Sequence, residues 1–189
     1  MTNISRTTKE TKIDLSLEIN GEGKSNISTG IGFFDHMLEA FAKHSGVNLE
    51  VYCEGDIYVD YHHSVEDVGI VLGQALYKEI FPIKNVERFS NAVAILDEAS
   101  VECDIDLGGR PYLVYELPID GAIKDFDMEL VEEFFKSVVF NSKIACHLLM
   151  KRGRNKHHII EAGFKAFAVG LRRALSYRQD EIPSTKGVL

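Results

Sequence analysis

One five-residue pattern occurs twice in this chain. His62-His63-Ser64-Val65-Glu66 matches His157-His158-Ile159-Ile160-Glu161, with a constant offset of 95 residues. Each copy opens a stretch of helical apolar spacing, after a strand and a glycine-containing turn. Two copies at matching places imply an internal duplication, with a pseudo-two-fold relation between the halves.

The surrounding periodicities support that reading. Ile13, Leu15, Leu17 and Ile19 alternate with polar residues, which predicts a half-buried strand over 11–19. Asn20-Gly21 is a turn signal, and a short polar strand follows at 24–28. Phe33 to Lys43 is helical, Val47 to Cys53 alternates, Ile57 and Val59 suggest a short strand, and His62 to Ile80 is helical. In the second half Val101 to Leu107 alternates and Gly108-Gly109 turns the chain. Strands are predicted over 111–117 and 143–150, and helices over 127–140 and from His157 to Tyr177. The halves are 1–87 and 88–182, and 183–189 is a tail without periodicity. Strands and helices in blocks with hairpin turns give an α+β class, with antiparallel sheets packed on helices.

Composition excludes several classes. The 189 residues, 45% hydrophobic and 26% charged, suit one domain or two small fused halves with a sizeable core. A net charge of -8 without a basic stripe argues against nucleic acid. No apolar run is long enough to cross a bilayer, and MTNISRTTKETK lacks the apolar stretch of a signal peptide. Cys53, Cys103 and Cys146 are far apart and odd in number, and read as reduced core thiols of a cytoplasmic protein.

The repeated motif carries metal chemistry. On a helix, residues four apart share a face, so His62 with Glu66, and His157 with Glu161, can each grip one ion. His63 and His158 must aim elsewhere. A two-fold relation predicts crossed pairing, with His158 joining His62 and Glu66, and His63 joining His157 and Glu161. His36, in the first helix, and His147, in the strand before the second motif, can complete the two sites. Taken singly, each piece has a plainer explanation: a surface His–Glu pair, a satisfied core histidine, a helix-end hydrogen bond. Two copies in register make duplicated ligation the better account, because unpaired buried imidazoles and carboxylates are costly. Imidazole and carboxylate donors suit zinc, iron, nickel, copper or manganese, and the lack of nearby thiolates argues against a closed structural zinc site. Arg88, Arg110, Lys165 and the tail residues Ser184, Thr185 and Lys186 add cations and hydroxyls suited to a phosphate beside the metals.

Six blocks, in order, resemble imidazoleglycerol-phosphate dehydratase. They are Arg6-Thr-Thr-Lys-Glu-Thr11, Thr29-Gly-Ile-Gly-Phe-Phe-Asp-His-Met-Leu38, Asp60-Tyr-His-His-Ser-Val-Glu-Asp67, Leu96-Asp-Glu-Ala99, Gly153-Arg-Asn-Lys-His-His-Ile-Ile-Glu-Ala162 and Pro183-Ser-Thr-Lys-Gly187. Nothing resembles a second, phosphatase-like domain, so the single-function form is implied. The resemblance implies helices packed between two sheets, two manganese ions per active site, and an oligomer of 24 subunits with active sites at subunit contacts. It implies dehydration of D-erythro-imidazole glycerol phosphate to imidazole acetol phosphate in L-histidine biosynthesis. The implied ligands are His36, His62, His63, Glu66, His147, His157, His158 and Glu161. The implied substrate contacts are Glu10, His44, Arg88, Arg110, Lys165, Ser184, Thr185 and Lys186, with Glu10 shuttling protons. Glu10 and His44 enter by resemblance alone.

The chemistry that fits is expulsion of the side-chain hydroxyl by an imidazolate bound between two metal ions, through a diazafulvene-like intermediate. A competing expectation is a dinuclear phosphate-ester hydrolase using the same ligands with a bridging hydroxide. A third is a non-catalytic metal-buffering protein, which leaves Arg110, Lys165 and the tail cations unused.

Overall fold

Alternating burial defines the first sheet. Strand β2 (Thr11–Glu18) buries Ile13, Leu15 and Leu17, and β4 (Asn48–Gly55) buries Leu49, Val51 and Cys53. They pair antiparallel, so both apolar sets face the same way. The structure, a computed structural model, describes residues 1–81, 85–179 and 184. Edge strands β1 (Thr2–Thr7) and β3 (Ser25–Ser28) complete the order β1-β2-β4-β3, with β3 parallel to β4. Helix α1 (Gly32–Ser45) lies between β3 and β4 in the chain, and α2 (His62–Ile80) follows β4.

The second half repeats this plan. Strands β5 (Phe89–Leu96), β6 (Ala99–Asp106), β7 (Tyr112–Glu116) and β10 (Ala145–Arg152) form a sheet of order β5-β6-β10-β7, with β7 parallel to β10. Helices α3 (Glu129–Ser142) and α4 (Lys156–Ala174) match α1 and α2. A small hairpin, β8 (Ala122–Ile123) with β9 (Phe126–Asp127), has no counterpart in the first half among the described residues. It accounts for a change of register. From β2 to β6 the shift is 88 residues, but from α1 to α3 it is 97. The connection from β10 to His157 is then two residues shorter than the one from β4 to His62, which returns the shift to 95 at the motifs.

The class is α+β as expected, with four helices among the described residues, packed between two mixed sheets. Several details differ from the periodicity. Ile57 and Val59 lie exposed in a turn closed by Val59 N donating to Asp56 O at 2.8 Å, not in a strand. Helix α4 ends at Ala174 rather than reaching Tyr177, which instead bridges to Val86. Strands β1 and β5 carry no clean apolar alternation because each is a sheet edge, and β5 exposes Phe89, Val93 and Ile95.

The helices cross between halves. Helix α2 covers its own sheet and packs on α3, while α4 covers the second sheet and packs on α1. One continuous core results, rich in stacked and edge-on phenylalanines: Phe41 with Phe167 at 5.7 Å, Phe134 with Phe164 at 5.3 Å, Phe135 with Phe164 at 4.9 Å. Each such ring contributes about 1.5–3 kcal/mol by leaving water. Glycines bring α2 and α3 close. A Cβ on Gly73 would lie 2.6 Å from Val138 O and 2.7 Å from Asn141 Cβ.

Gly73→Ala is therefore expected to force α2 from α3 and cost about 1–3 kcal/mol, despite the better helix propensity of alanine. Gly163→Ala in α4 meets Leu117 Cδ1 at an ordinary 3.4 Å and should be neutral or stabilising. Urea midpoints of the two variants check the contrast; equal midpoints would contradict it.

Candidate metal centre and its carboxylate frame

The first turn of α1 is fixed by Asp35, whose Oδ1 accepts from Thr29 Oγ1 at 2.5 Å and Thr29 N at 2.9 Å. That anchor sets the next residue, His36, against the start of α4. There Asn155 caps the helix by accepting from His157 N at 3.0 Å. Three side chains converge. His157 Nε2 lies 3.1 Å and His36 Nε2 3.4 Å from the same carboxylate oxygen of Glu161, and the three donor atoms all lie within 4.8 Å of one another. Lys165 Nζ donates to the other Glu161 oxygen at 2.7 Å.

Charge balance in this cluster favours an anionic Glu161. Partial burial opposes ionisation, but the Lys165 hydrogen bond and the charges of Lys165 and His36, with the bond to His157, hold the carboxyl below its usual range. His44, at the other end of α1, also has its pKa lowered, first by desolvation and then by the charges of Lys165 and Arg172, which for an imidazole favours the neutral form. It is therefore a neutral imidazole at neutral pH.

The first motif copy is similarly built at the start of α2. Asp60 Oδ1 accepts from His62 N at 2.8 Å, and His62 Nε2 lies 3.6 Å from Glu66 Oε2. The second histidine of each copy meets carboxylates that its sequence neighbourhood did not reveal. His63 Nδ1 lies 3.0 Å from Asp56 Oδ2, and its Nε2 lies 3.7 Å from Glu10 Oε1. His158 Nδ1 lies 2.8 Å from Glu98 Oε2, and its Nε2 lies 3.8 Å from Asp97 Oδ2. Hydrogen bonding to Asp56 raises the His63 pKa, and hydrogen bonding to Glu98 raises that of His158. Within one chain, then, the described contacts of His63 and His158 are not the crossed groups expected from a two-fold relation. His36 is the residue that joins His157 and Glu161.

The donor chemistry fits a first-row divalent ion. Two imidazole nitrogens and an ionised carboxylate face one small volume, while Cys53, Cys103 and Cys146 are buried and unbridged in the core. The inserted hairpin spans the two motif copies. Tyr61 Oη, beside His62, donates to Asp125 at 2.7 Å, while Phe126 packs on Phe33 at 5.2 Å, and Phe33 sits edge-on to His157 at 5.3 Å.

Other expected site residues lie apart. His147 points from β10 between the buried Cys146 and Leu148, so it faces away from α4 and shares a groove with Phe89, Asp104 and Asp106. Arg88 pairs with Asp106 at 2.7 Å and stacks on Phe89 at 4.5 Å. Arg110 is exposed in the turn after β6, and Ser184 is half-buried. Thr185 and Lys186 lie outside the described residues.

Sequence and shape comparisons place this fold in a family. A family model described as imidazoleglycerol-phosphate dehydratase matches residues 29–171. An imidazoleglycerol-phosphate dehydratase of Nautilia profundicola is 74% identical over 189 residues, covering 100% of both chains. One of Nitratiruptor sp. is 60% identical, again covering 100% of both chains. The crystal structure of the Staphylococcus aureus dehydratase superposes with a TM-score of 0.85 at 39% identity, covering 93% of this chain and 98% of that one. The chain belongs to the imidazoleglycerol-phosphate dehydratase family. A Pyrococcus furiosus structure of the same family, in complex with (S)-C348, has a TM-score of 0.85 at 35% identity, covering 98% of this chain and 100% of that one. The chain is accordingly an enzyme of a hydro-lyase family, and no helix among its described residues is long and apolar enough to cross a membrane.

In this dehydratase-family chain the turn carrying Glu10 is itself anchored. Asp67, on α2, accepts from Thr11 Oγ1 at 2.5 Å and from Arg6 Nη2 at 2.8 Å, and Thr8 Oγ1 accepts from Glu10 N at 3.1 Å. Asp67→Ala is expected to cost about 1.5–3 kcal/mol, since it strands a buried hydroxyl and unpairs Arg6. It should also release the Glu10 turn. Urea unfolding and proteolysis between β1 and β2 check both effects; wild-type stability would remove Asp67 from the frame.

Proposed function

We propose that the chain dehydrates D-erythro-imidazole glycerol phosphate to imidazole acetol phosphate, a step of L-histidine biosynthesis, with two Mn2+ ions per active site. The observation that carries this reading is the convergence of His36, His157 and Glu161 on one volume, with Lys165 bonded to the same carboxylate. Family membership supplies the reaction class, and the donor set fits the metal.

When bound, the ions supply Lewis acidity to the substrate ring and a template for its orientation. Everything else is the work of side chains. The carbon–oxygen bond beside the ring breaks, a proton leaves the next carbon, and the resulting enol becomes the ketone as the carbon beside the ring is protonated. Glu10 is our candidate to move these protons. Its carboxylate is about half exposed, and Oε1 stands 3.7 Å from His63 Nε2, at the edge of the donor frame. Arg88, Arg110, Lys165 and Lys186, with Ser184 and Thr185, would hold the phosphate, and His44, kept neutral, would accept or donate a hydrogen bond beside it. That remote binding holds the ring in register with the reacting groups.

The complete donor set requires more than one copy of the chain. His147 faces away from α4, and Arg88 lies by the same groove as His147. We read the site as assembled at contacts between copies, in the 24-subunit oligomer that the family resemblance implies. Three free, buried cysteines support a reducing, cytoplasmic setting.

Metal-stripped protein incubated with the substrate is expected to form ketone when Mn2+ is added, without releasing phosphate. Phosphate release without ketone would make it a hydrolase instead. Glu10→Gln should keep Mn2+ and substrate while kcat falls by about 10²–10⁴; normal turnover would remove Glu10 from the reaction. His62→Ala and His158→Ala should each lose metal and weaken assembly together, as read by metal analysis and gel filtration. Full metal content in either variant would exclude that histidine as a ligand.

A further inference from the structure

The two halves use equivalent carboxylates differently. Glu10 and Glu98 each stand immediately before the second strand of their half, β2 and β6, at the shift of 88 that relates these strands. In the second half Glu98 Oε1 accepts from Arg154 N at 3.0 Å and Asn155 N at 2.7 Å, and Oε2 lies 2.8 Å from His158 Nδ1. One carboxylate thus ties the β5–β6 turn to the start of α4 and to the second motif histidine. In the first half that place at Nδ1 is taken by another residue. Asp56, in the loop before α2, puts its two oxygens 3.1 and 3.0 Å from His63 Nδ1. Glu10 is left on the Nε2 side at 3.7 Å, solvent-accessible and unclamped by backbone amides in the described contacts.

We infer that Asp56 and Glu98 are matched positioning residues, each holding the Nδ1–H of the second motif histidine so that Nε2 is presented as the donor, and that Asp56 thereby leaves Glu10 available to the substrate. The ligand role rests on the metal reading above; the orienting role does not. The physical basis is donor inventory. An ionised carboxylate can only accept, so the imidazole nitrogen facing it must carry the proton, and the other nitrogen keeps its lone pair. Glu98 is well suited to remain ionised. Its Oε1 accepts two backbone N–H donors, from Arg154 and Asn155, which favour the charged form. Ligating histidines commonly depend on such a partner at the second nitrogen, and losing it typically costs 10–100-fold in metal affinity. Duplication explains why the job exists twice. Substitution of Asp56 for the hairpin glutamate in one half separates orientation from proton transfer.

Glu98→Gln gives a sharp test, because the two oxygens have different partners. The amide oxygen can keep both backbone donors, which turns the NH2 toward His158 Nδ1. That nitrogen must then accept, and the proton moves to Nε2, where it blocks ligation. Solid-state 15N spectra of histidine-labelled, metal-free protein at alkaline pH read the tautomers, and equilibrium dialysis reads Mn2+ affinity. Wild type should show Nδ1–H at His63 and His158. Glu98→Gln should shift His158 alone and weaken Mn2+ binding about 10–100-fold, and Asp56→Asn should perturb His63 alone. A merely structural role for Glu98 would change thermal stability without moving a tautomer, and unchanged tautomers in both variants would overturn the inference even if dehydration proceeds normally. If tautomers shift but wild type binds no Mn2+, the orientation stands and the metal reading falls. Should Glu98→Gln fail to fold, Asp56→Asn decides by the same spectrum.

Discussion

The close approach of each half's last helix to the other half's first helix determines where the functional side chains stand. Helix α4 against α1 brings His36 to His157 and Glu161, which lie 121 and 125 residues further along the chain. Helix α2 against α3 is drawn in by Gly69 and Gly73, where a Cβ would meet the neighbouring helix at 3.0 Å or less. The phenylalanine core fills the remaining space and locks the helix registers. The helices of each half are buried against those of the other, α2 on α3 and α4 on α1, so the two halves depend on each other for packing.

Onto this frame the chain places polar groups that would be costly without partners. The motif histidines sit at helix starts, and each is held by a carboxylate from another element or from one turn ahead. Glu161 faces two ways, with one oxygen toward the His36 and His157 imidazoles and the other on Lys165. The inserted β8–β9 hairpin ties the two motif regions together through Tyr61, Asp125, Phe126 and Phe33. That insertion breaks the pseudo-symmetry, as does the exchange of Asp56 for the hairpin glutamate.

Much of this was legible in the sequence for a physical reason. Strands buried on one face and amphipathic helices leave periodic signatures, so β2, β4, β6, α1 and α2 were located closely, and α2 over the whole of His62–Ile80. The i, i+4 rule pairs His62 with Glu66 and His157 with Glu161 from the sequence alone, and both pairs stand in the structure. Edge strands β1 and β5 left no contrast to read, and the turn at Ile57 and Val59 mimicked a strand because two exposed apolar residues happened to alternate. Glu98 was visible within Leu96-Asp-Glu-Ala99, but its contact with His158 spans 60 residues, beyond what spacing can show. The groups of the crossed pairing do not meet within one chain, where His63 faces Asp56 and His158 faces Glu98; a two-fold relation fixes directions, not which neighbour fills them. His147 was expected to complete one of the two sites; strand alternation in β10 points Cys146 and Leu148 into the core and turns His147 outward, apart from the His36–His157–Glu161 cluster.

In the proposed function the two motif copies hold two separate metal ions around one substrate ring. Anomalous diffraction at the manganese edge from crystals grown with Mn2+ and a substrate analogue tests it most directly. Two peaks per chain are expected, one beside His157 and Glu161 and one beside His62 and Glu66, separated by more than the roughly 3.5–4 Å of a hydroxide-bridged pair. A single peak, or two at the bridged spacing, would contradict it.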